Sequence, residues 1–290
     1  MTANTHLSSA AVEHAATLPL HTRFDLDDGL TDVHRAFLAQ HGFLVFGGVY
    51  SDTEVATMNT DIDRLRDAWV EEGRTSVNGI PLFIGNGPES EPLIQRMPFT
   101  SCFSKVVRDM IRDPRLEPIK TLIGSEVRIG DQEKDGCVVN TYLNVEGSVY
   151  PRLGWHTDGL RDVFYLRKPK QMLNVGIHLS DCPLDNGGLR LIPGSHEQSM
   201  FSMAFRKISF LDHRPDRNEI AVQTQKGDLT IHDGRLWHRV AQSTRVGSES
   251  FRRSMYVPYL TDEYDPKDTD SATPLYHRLG QVLRRFRGGR

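Results

Sequence analysis

From about Glu126 the chain is a succession of short apolar runs, each closed by turn residues: SEVRIG, CVVNTYLNV, QMLNVGIHLSD, GGLRLIPGS, GDLTIHD, WHRVAQ and FRRSMYVPYL. Runs of this length, rich in β-branched and aromatic residues and bounded by Gly, Asn, Asp and Pro, read as strands. Their spacing points to an antiparallel barrel or jelly roll rather than to alternating βαβ units. One polar and aromatic stretch, Phe201 to Asn218, interrupts the series and is a candidate substrate-facing insertion.

The part before Glu126 has a different period. Leu30, Val33, Phe37 and Leu38 fall on one helical face, closed by His41-Gly42 with the glycine suited to a C-cap. Phe43 to Val49 reads as a buried strand. Ser51-Asp52-Thr53-Glu54 is a capping-box pattern, followed by Val55, Met58, Ile62 and Leu65 at helical spacing. A further helix is expected over Phe103 to Arg112, ended by Asp113-Pro114. Between them, Gly73 to Thr100 is rich in Gly, Pro and polar residues and reads as a long loop, a candidate lid. The expected architecture is therefore mainly β with flanking helices: a jelly-roll barrel with N-terminal helices packed outside. Residues 1–23 are expected to be poorly ordered, 24–262 to form a single domain, and 263–290 to be an extension carrying a short basic helix.

Composition narrows the function. A net charge of -3 gives no basic field for nucleic acid or anionic membrane. The three cysteines are scattered, with no CxxC pair, which argues against a disulfide framework or a cysteine zinc site. No run approaches the roughly 18 apolar residues that a membrane span requires. The N-terminus lacks the charged start and apolar run of a signal peptide. A cytoplasmic protein acting on a small molecule is expected; the oligomeric state is not legible.

The chemistry starts from GWHTDGL. His156 and Asp158, two apart in an extended segment, can turn imidazole and carboxylate toward a common point. A second histidine would complete a set that leaves coordination positions open on a metal. GDLTIHDGRLWHRVAQS supplies His232 and His238. His238 follows the Asp233-Gly234 turn, where functional residues concentrate, and is the favoured partner; His232 then reads as a packed or supporting histidine. Arg252 lies beyond a polar turn centred near Val246. If its strand pairs with that of His238, it falls about 10 Å from the metal, within reach of the far carboxylate of a chelating diacid.

The strings WHTDG, NVGIHLSDCPLDNGGLRLIPGSH, GDLTIHDGRLWH and FRRSMYVPY, in this order, closely resemble the phytanoyl-CoA dioxygenase-like family of 2-oxoglutarate oxygenases. The similarity runs from about Phe43 to Tyr259. It implies a double-stranded β-helix, with His156, Asp158 and His238 as iron(II) ligands and catalytic centre. It implies Arg252 as partner of the distal 2-oxoglutarate carboxylate, with Asn140, Asn144 and Asn174 near the co-substrate. Iron(II), 2-oxoglutarate and O2 are implied, with ascorbate as a stimulant. The expected reaction is hydroxylation of a small molecule, with release of succinate and CO2.

Two positions refine this. Relatives often carry H-G-S after the distal histidine, whereas this chain has His238-Arg239-Val240 and lacks that hydroxyl. Asp158 stands where related halogenases have Ala or Gly, which disfavours halogenation. The family acts on acyl-CoA, free amino acids and secondary metabolites. Arg152, Arg161, Arg167, Lys168 and Lys170 could meet an anionic substrate, and Phe83, Trp155, Phe164 and Tyr165 could line an apolar pocket. The alternatives are a cupin-type metalloenzyme independent of 2-oxoglutarate and a non-catalytic binding barrel.

Overall fold

The computed structural model describes residues 7–27, 29–124, 126–159, 170–274 and 277. Helices α1 (Ser9–Thr17), α2 (Asp32–His41) and α3 (Asp52–Glu71) lie toward the N-terminus, with strand β1 (Phe43–Phe46) between α2 and α3. Gly42 closes α2 at φ 82°, a left-handed position that glycine adopts without a Cβ penalty. Ser51 and Glu54 form the reciprocal cap that starts α3. Contrary to the expectation of a poorly ordered start, residues 9–17 are helical. The Ser8 side chain caps α1, and Ala11 and Ala15, four apart, are buried as α1 packs on α2.

The stretch from Gly73 to Thr100 is also more regular than its composition suggested. It holds β2 (Ser76–Val77), β3 (Ile80–Pro81), β4 (Phe83–Asn86) and β5 (Pro92–Met97). The residues that read as loop occupy the turns. Asn78 and Gly79 both have positive φ in the tight turn between β2 and β3. The β4–β5 hairpin extends a large sheet through β5 and β7, so this segment is sheet edge rather than lid. The expected helix over Phe103–Arg112 is the shorter Lys105–Met110.

Nine further strands lie among the described residues: β6 (Arg128–Ile129), β7 (Val138–Asn144), β8 (Leu153–His156), β9 (Met172–His178), β10 (Gly188–Leu191), β11 (Ile220–Ala221), β12 (Leu229–Asp233), β13 (His238–Ala241) and β14 (Gly247–Leu260). The large sheet runs β1-β12-β9-β14-β7-β5-β4, with β6 on β14, and the small sheet runs β11-β10-β13-β8. From β7 to β10 the chain alternates between the sheets, and it does so again from β12 to β14. All the pairings in both sheets are antiparallel. This alternation winds a double-stranded β-helix, the jelly-roll class that the strand spacing implied.

The winding corrects one expectation. β13 and β14 are consecutive but do not pair: β13 lies between β10 and β8, and β14 between β9 and β7. His238 and Arg252 therefore belong to different sheets, and the offset along one hairpin does not apply.

Period-two alternation divides each strand of the large sheet between two environments. Leu173, Val175 and Ile177 of β9, with Leu229 and Ile231 of β12, join the apolar core that includes Val55, Met58, Ile62, Leu65 and Trp69 of α3. The intervening Asn174 and His178, with Thr230, bond inside the barrel. One face thus holds the sheet to the helices, while the other is free to carry chemistry. No helix among the described residues is long and apolar enough to cross a membrane. The basic segment expected to close the chain lies outside the described residues apart from Pro274 and His277.

Candidate metal centre

His156 ends β8 and His238 begins β13, and the two are direct partners across the pair. Their ring centroids are 4.0 Å apart. Asp158 follows just beyond β8, where the Gly159 N–H donates to the Gly234 carbonyl at 2.9 Å and ties this end to the turn before β13. One ligand atom from each of His156, Asp158 and His238 lies within 4.8 Å of the other two, so these side chains could hold a metal ion.

Hydrogen bonding orients both rings. The Nδ1 of His156 faces the Gly154 carbonyl at 2.9 Å, and that of His238 faces the Leu236 carbonyl at 3.0 Å. A carbonyl only accepts, so each Nδ1 carries the proton and each Nε2 keeps a lone pair for a metal. Burial holds both imidazoles below their usual pKa, most strongly at His238, where His156 adds to the effect. Burial alone would raise Asp158, but His238 and the other neighbouring histidines outweigh it and hold the carboxyl well below its usual range. Neutral imidazoles beside an ionised carboxylate are the protonation state a metal needs. Asn174 Nδ2 steadies Asp158 from 3.1 Å.

His232 is buried behind this group. Its Nε2 is 3.7 Å from Asp158 Oδ2, and its ring centroid is 4.5 Å from that of His238. It is not among the three donors that converge.

Arg252 and Arg253 point opposite ways, as alternation requires. Arg253 leaves the barrel to meet Asp63 at 2.7 Å and Asn59 at 3.0 Å, both on α3. Arg252 turns inward and is only 4% exposed. Its Nη2 donates to the Pro151 carbonyl at 3.4 Å, Nε and Nη1 meet no nitrogen or oxygen acceptor, and the Cys182 thiol lies beside the guanidinium. Its guanidinium carbon stands 5.1 Å from the Tyr142 ring centroid. Burial lowers its pKa from the ordinary guanidinium value, and no carboxylate among the described residues pairs with it. Tyr142, His178, Thr224, Val240, Arg252 and Tyr256 share one cavity.

The other expected residues are divided. Asn140 is buried with Oδ1 unpartnered. Asn144, expected beside a co-substrate, is instead committed to the loop before β14: Nδ2 donates to the Ser243 and Arg245 carbonyls, and Oδ1 accepts from Gln242. Arg239 pairs with Glu219, leaving Val240 on the cavity. In the Asn186–His196 string, Gly187, Gly188 and Gly194 have positive φ, and His196 Nε2 bonds the Ala39 carbonyl of α2, consistent with a structural role. Trp155 is core and Phe83 packs on Tyr150, while Arg152 and Lys170 are exposed. Arg161, Phe164, Tyr165, Arg167 and Lys168 lie outside the described residues.

Two features were missed in the sequence. His178 bridges the Thr230 and Thr224 hydroxyls at 3.0 and 3.1 Å. Phe210 stacks on His156, with centroids 4.8 Å apart and planes 26° from parallel. The β9 alternation was the available signal for His178. For Phe210 it was only that it falls in the interrupting segment.

The comparisons accord with this geometry. No curated protein matches the chain. Among solved structures, EctD from S. alaskensis with bound Fe aligns at TM-score 0.59 and 18% identity, over 87% of this chain and 84% of that one. The epimerase SnoN, in complex with Fe3+, alpha ketoglutarate and nogalamycin RO, aligns at TM-score 0.59 and 17% identity, over 91% and 88%. HygX from Streptomyces hygroscopicus, with nickel and 2-oxoglutarate bound, aligns at TM-score 0.55 and 17% identity, over 84% and 89%. At these identities the likeness speaks to the fold. The phytanoyl-CoA dioxygenase family model matches residues 38–254, a span that includes the three converging donors and Arg252, and the chain belongs to that family of Fe/2-oxoglutarate oxygenases.

Proposed function

We propose that this protein is an iron(II)/2-oxoglutarate-dependent dioxygenase that hydroxylates an unactivated C–H bond of a small molecule, with release of succinate and CO2. Arg252 carries the reading. A guanidinium stays protonated at neutral pH, and burying it without an anion is costly. Its orphaned Nε and Nη1 fit a ligand carboxylate. Within the same fold, His156, Asp158 and His238 offer two neutral nitrogens and a carboxylate oxygen, the donor chemistry of a facial iron(II) site.

On this reading His156, Asp158 and His238 hold iron, and Arg252 grips the distal carboxylate of 2-oxoglutarate. Asn174 acts through Asp158, which it orients. Asn140 remains a pocket candidate through its unpartnered oxygen. The Thr224 hydroxyl, on the cavity shared with Val240 and Arg252, takes the place of the serine missing after the distal histidine. When bound, iron with 2-oxoglutarate and O2 supplies the oxidant for the C–H bond. The likeness to proteins crystallised with iron or nickel, two of them with the oxo-acid, supports this pairing. Two structural neighbours, SnoN and SnoK, are an epimerase and a carbocyclase from nogalamycin biosynthesis, which supports a secondary-metabolite substrate and makes product analysis necessary. Ascorbate is expected to stimulate turnover.

The test is anaerobic. Iron(II) and then 2-oxoglutarate are added to wild type and His238→Ala, and the visible spectrum is recorded. The expected result is a weak charge-transfer band that needs both additions and is lost in the variant. No band in folded, iron-loaded wild type would overturn the reading in favour of an oxo-acid-independent metalloenzyme or a binding barrel.

A further inference from the structure

The segment between β10 and β11 is fixed at its base. The Phe210 N–H donates to the Trp155 carbonyl at 2.7 Å, and the Trp155 N–H donates to the Asp212 carbonyl at 2.8 Å. The Trp155 indole N–H reaches the Arg214 carbonyl, also at 2.8 Å. Lys207 pairs with Asp216 at 2.8 Å and lies over the Trp155 ring, and Met203 is buried beneath. Gly154 gives the segment room, since a Cβ there would strike the Phe210 carbonyl.

The outer face of this clamped segment is apolar and open. Ile208 is 69% exposed and Phe210 46%, and Met200, Phe201 and Leu211 are exposed as well. Several large apolar side chains exposed along one anchored stretch of backbone mark a surface that something covers. Phe210 also has φ 63°, a left-handed conformation that an aromatic residue rarely adopts and that clusters at ligand clamps. That conformation accompanies a ring stacked on His156, which makes the apolar face continuous with the candidate metal centre.

We propose that Met200–Leu211 is the substrate-binding wall of this centre, and that Phe210 is its specificity-determining residue. The substrate presents a flat apolar aromatic ring system. This deepens the oxygenase reading and rests on it for what happens after binding. One face of Phe210 is aligned with His156, and the ring's exposed surface offers a platform where offset stacking adds to simple area burial. A rigid ring loses little conformational entropy on docking, unlike a long flexible chain. A free amino acid gains little here, because Lys207 and Asp216 are already paired with each other.

The test uses anilinonaphthalene sulfonate as ring probe and L-proline as polar comparator, on the full chain loaded anaerobically with iron(II) and 2-oxoglutarate. The charge-transfer band reads the centre, and thermal unfolding reads the fold. Phe210→Ala is expected to weaken probe binding about three- to ten-fold while keeping the band, and Phe210→Tyr to restore it. Ile208→Ser, at an exposed position, is expected to weaken the probe without touching the fold and serves if Phe210→Ala does not fold. Replacing iron by cobalt(II) is expected to quench the bound dye more than zinc does, by proximity. Equal dye affinity in wild type and both weakening variants would overturn the proposal. So would L-proline, rather than ring compounds, stimulating succinate release equally in wild type and Phe210→Ala. Probe binding that instead tracks dimer formation would assign the face to a second copy and also overturn it. Loss of the band in wild type would count against the oxygenase reading alone.

Discussion

Arg252 and Arg253 are adjacent in β14 and serve opposite surfaces of the same sheet. Arg253 is buried between α3 and β7, where Asp63 and Asn59 of the helix and Thr141 of the strand satisfy it. Arg252 faces the cavity with two nitrogens unpartnered. Removing Arg253 therefore leaves polar groups unpaired at the helix–sheet joint, a loss of about 1–3 kcal/mol. Removing Arg252 takes away a cation that burial disfavours in the empty protein. Arg253→Ala should lower the unfolding midpoint in urea while keeping the iron–2-oxoglutarate band below its transition. Arg252→Ala should hold its midpoint near wild type and raise the 2-oxoglutarate concentration needed for the band by about ten-fold or more. The reverse pattern would exchange the two roles. Only alternation was needed to see from the sequence that one of this pair must face inward. Which hydrogen bonds each would make depends on α3 and β7, segments far away in the chain.

Elements were legible where one period governed them. The α2 and α3 stripes and caps follow from the 3.6-residue period, and β7, β9 and β12 follow from short apolar runs. The β4–β5 hairpin escaped notice because its strands are short and its turn residues dominate the local composition. The β13–β14 relation was misread for a different reason. Neighbours in sequence usually pair, and only closure of two sheets around a common interior sends them apart. Asn144 shows a further limit: a polar side chain on an inward face can be consumed by a nearby loop as readily as by a ligand. At this scale α3 is the backing on which the barrel depends. Ile62 is buried among α3 and large-sheet residues, so Ile62→Ala should cost about 2–5 kcal/mol in urea unfolding. The spectrum of the folded fraction should not change, because the apolar core and the chemical interior occupy opposite faces of the sheet.

For the whole molecule, a barrel with a polar interior makes stability depend on pH. His178 is buried, and that burial pulls its pKa down to about 4, with Asp228 opposing the fall and His232 adding to it. An unfolded histidine titrates near 6.5. Between those values the unfolded chain binds the proton and the folded chain does not, so stability rises with pH across that window. The contribution is fully present above about 6.5 and is lost progressively as pH falls toward 4, reaching about 3 kcal/mol for this residue alone. His34, His41, His156, His238 and His277 are also held below their usual value and act in the same sense. The wild type should therefore lose stability steeply on acidification through the range where histidine titrates. The share of His178 is separable, because glutamine can still bond Thr230 or Thr224 but does not titrate. His178→Gln should unfold at lower urea than wild type at pH 7.5, and the gap should narrow as pH falls toward 4.5. Parallel curves for the two proteins would mean that His178 takes up its proton in the folded barrel over the same pH range as in the unfolded chain. The Thr224–His178–Thr230 bridge would then present a cation to the cavity beside Arg252, and an anionic ligand would be held by two positive groups rather than one.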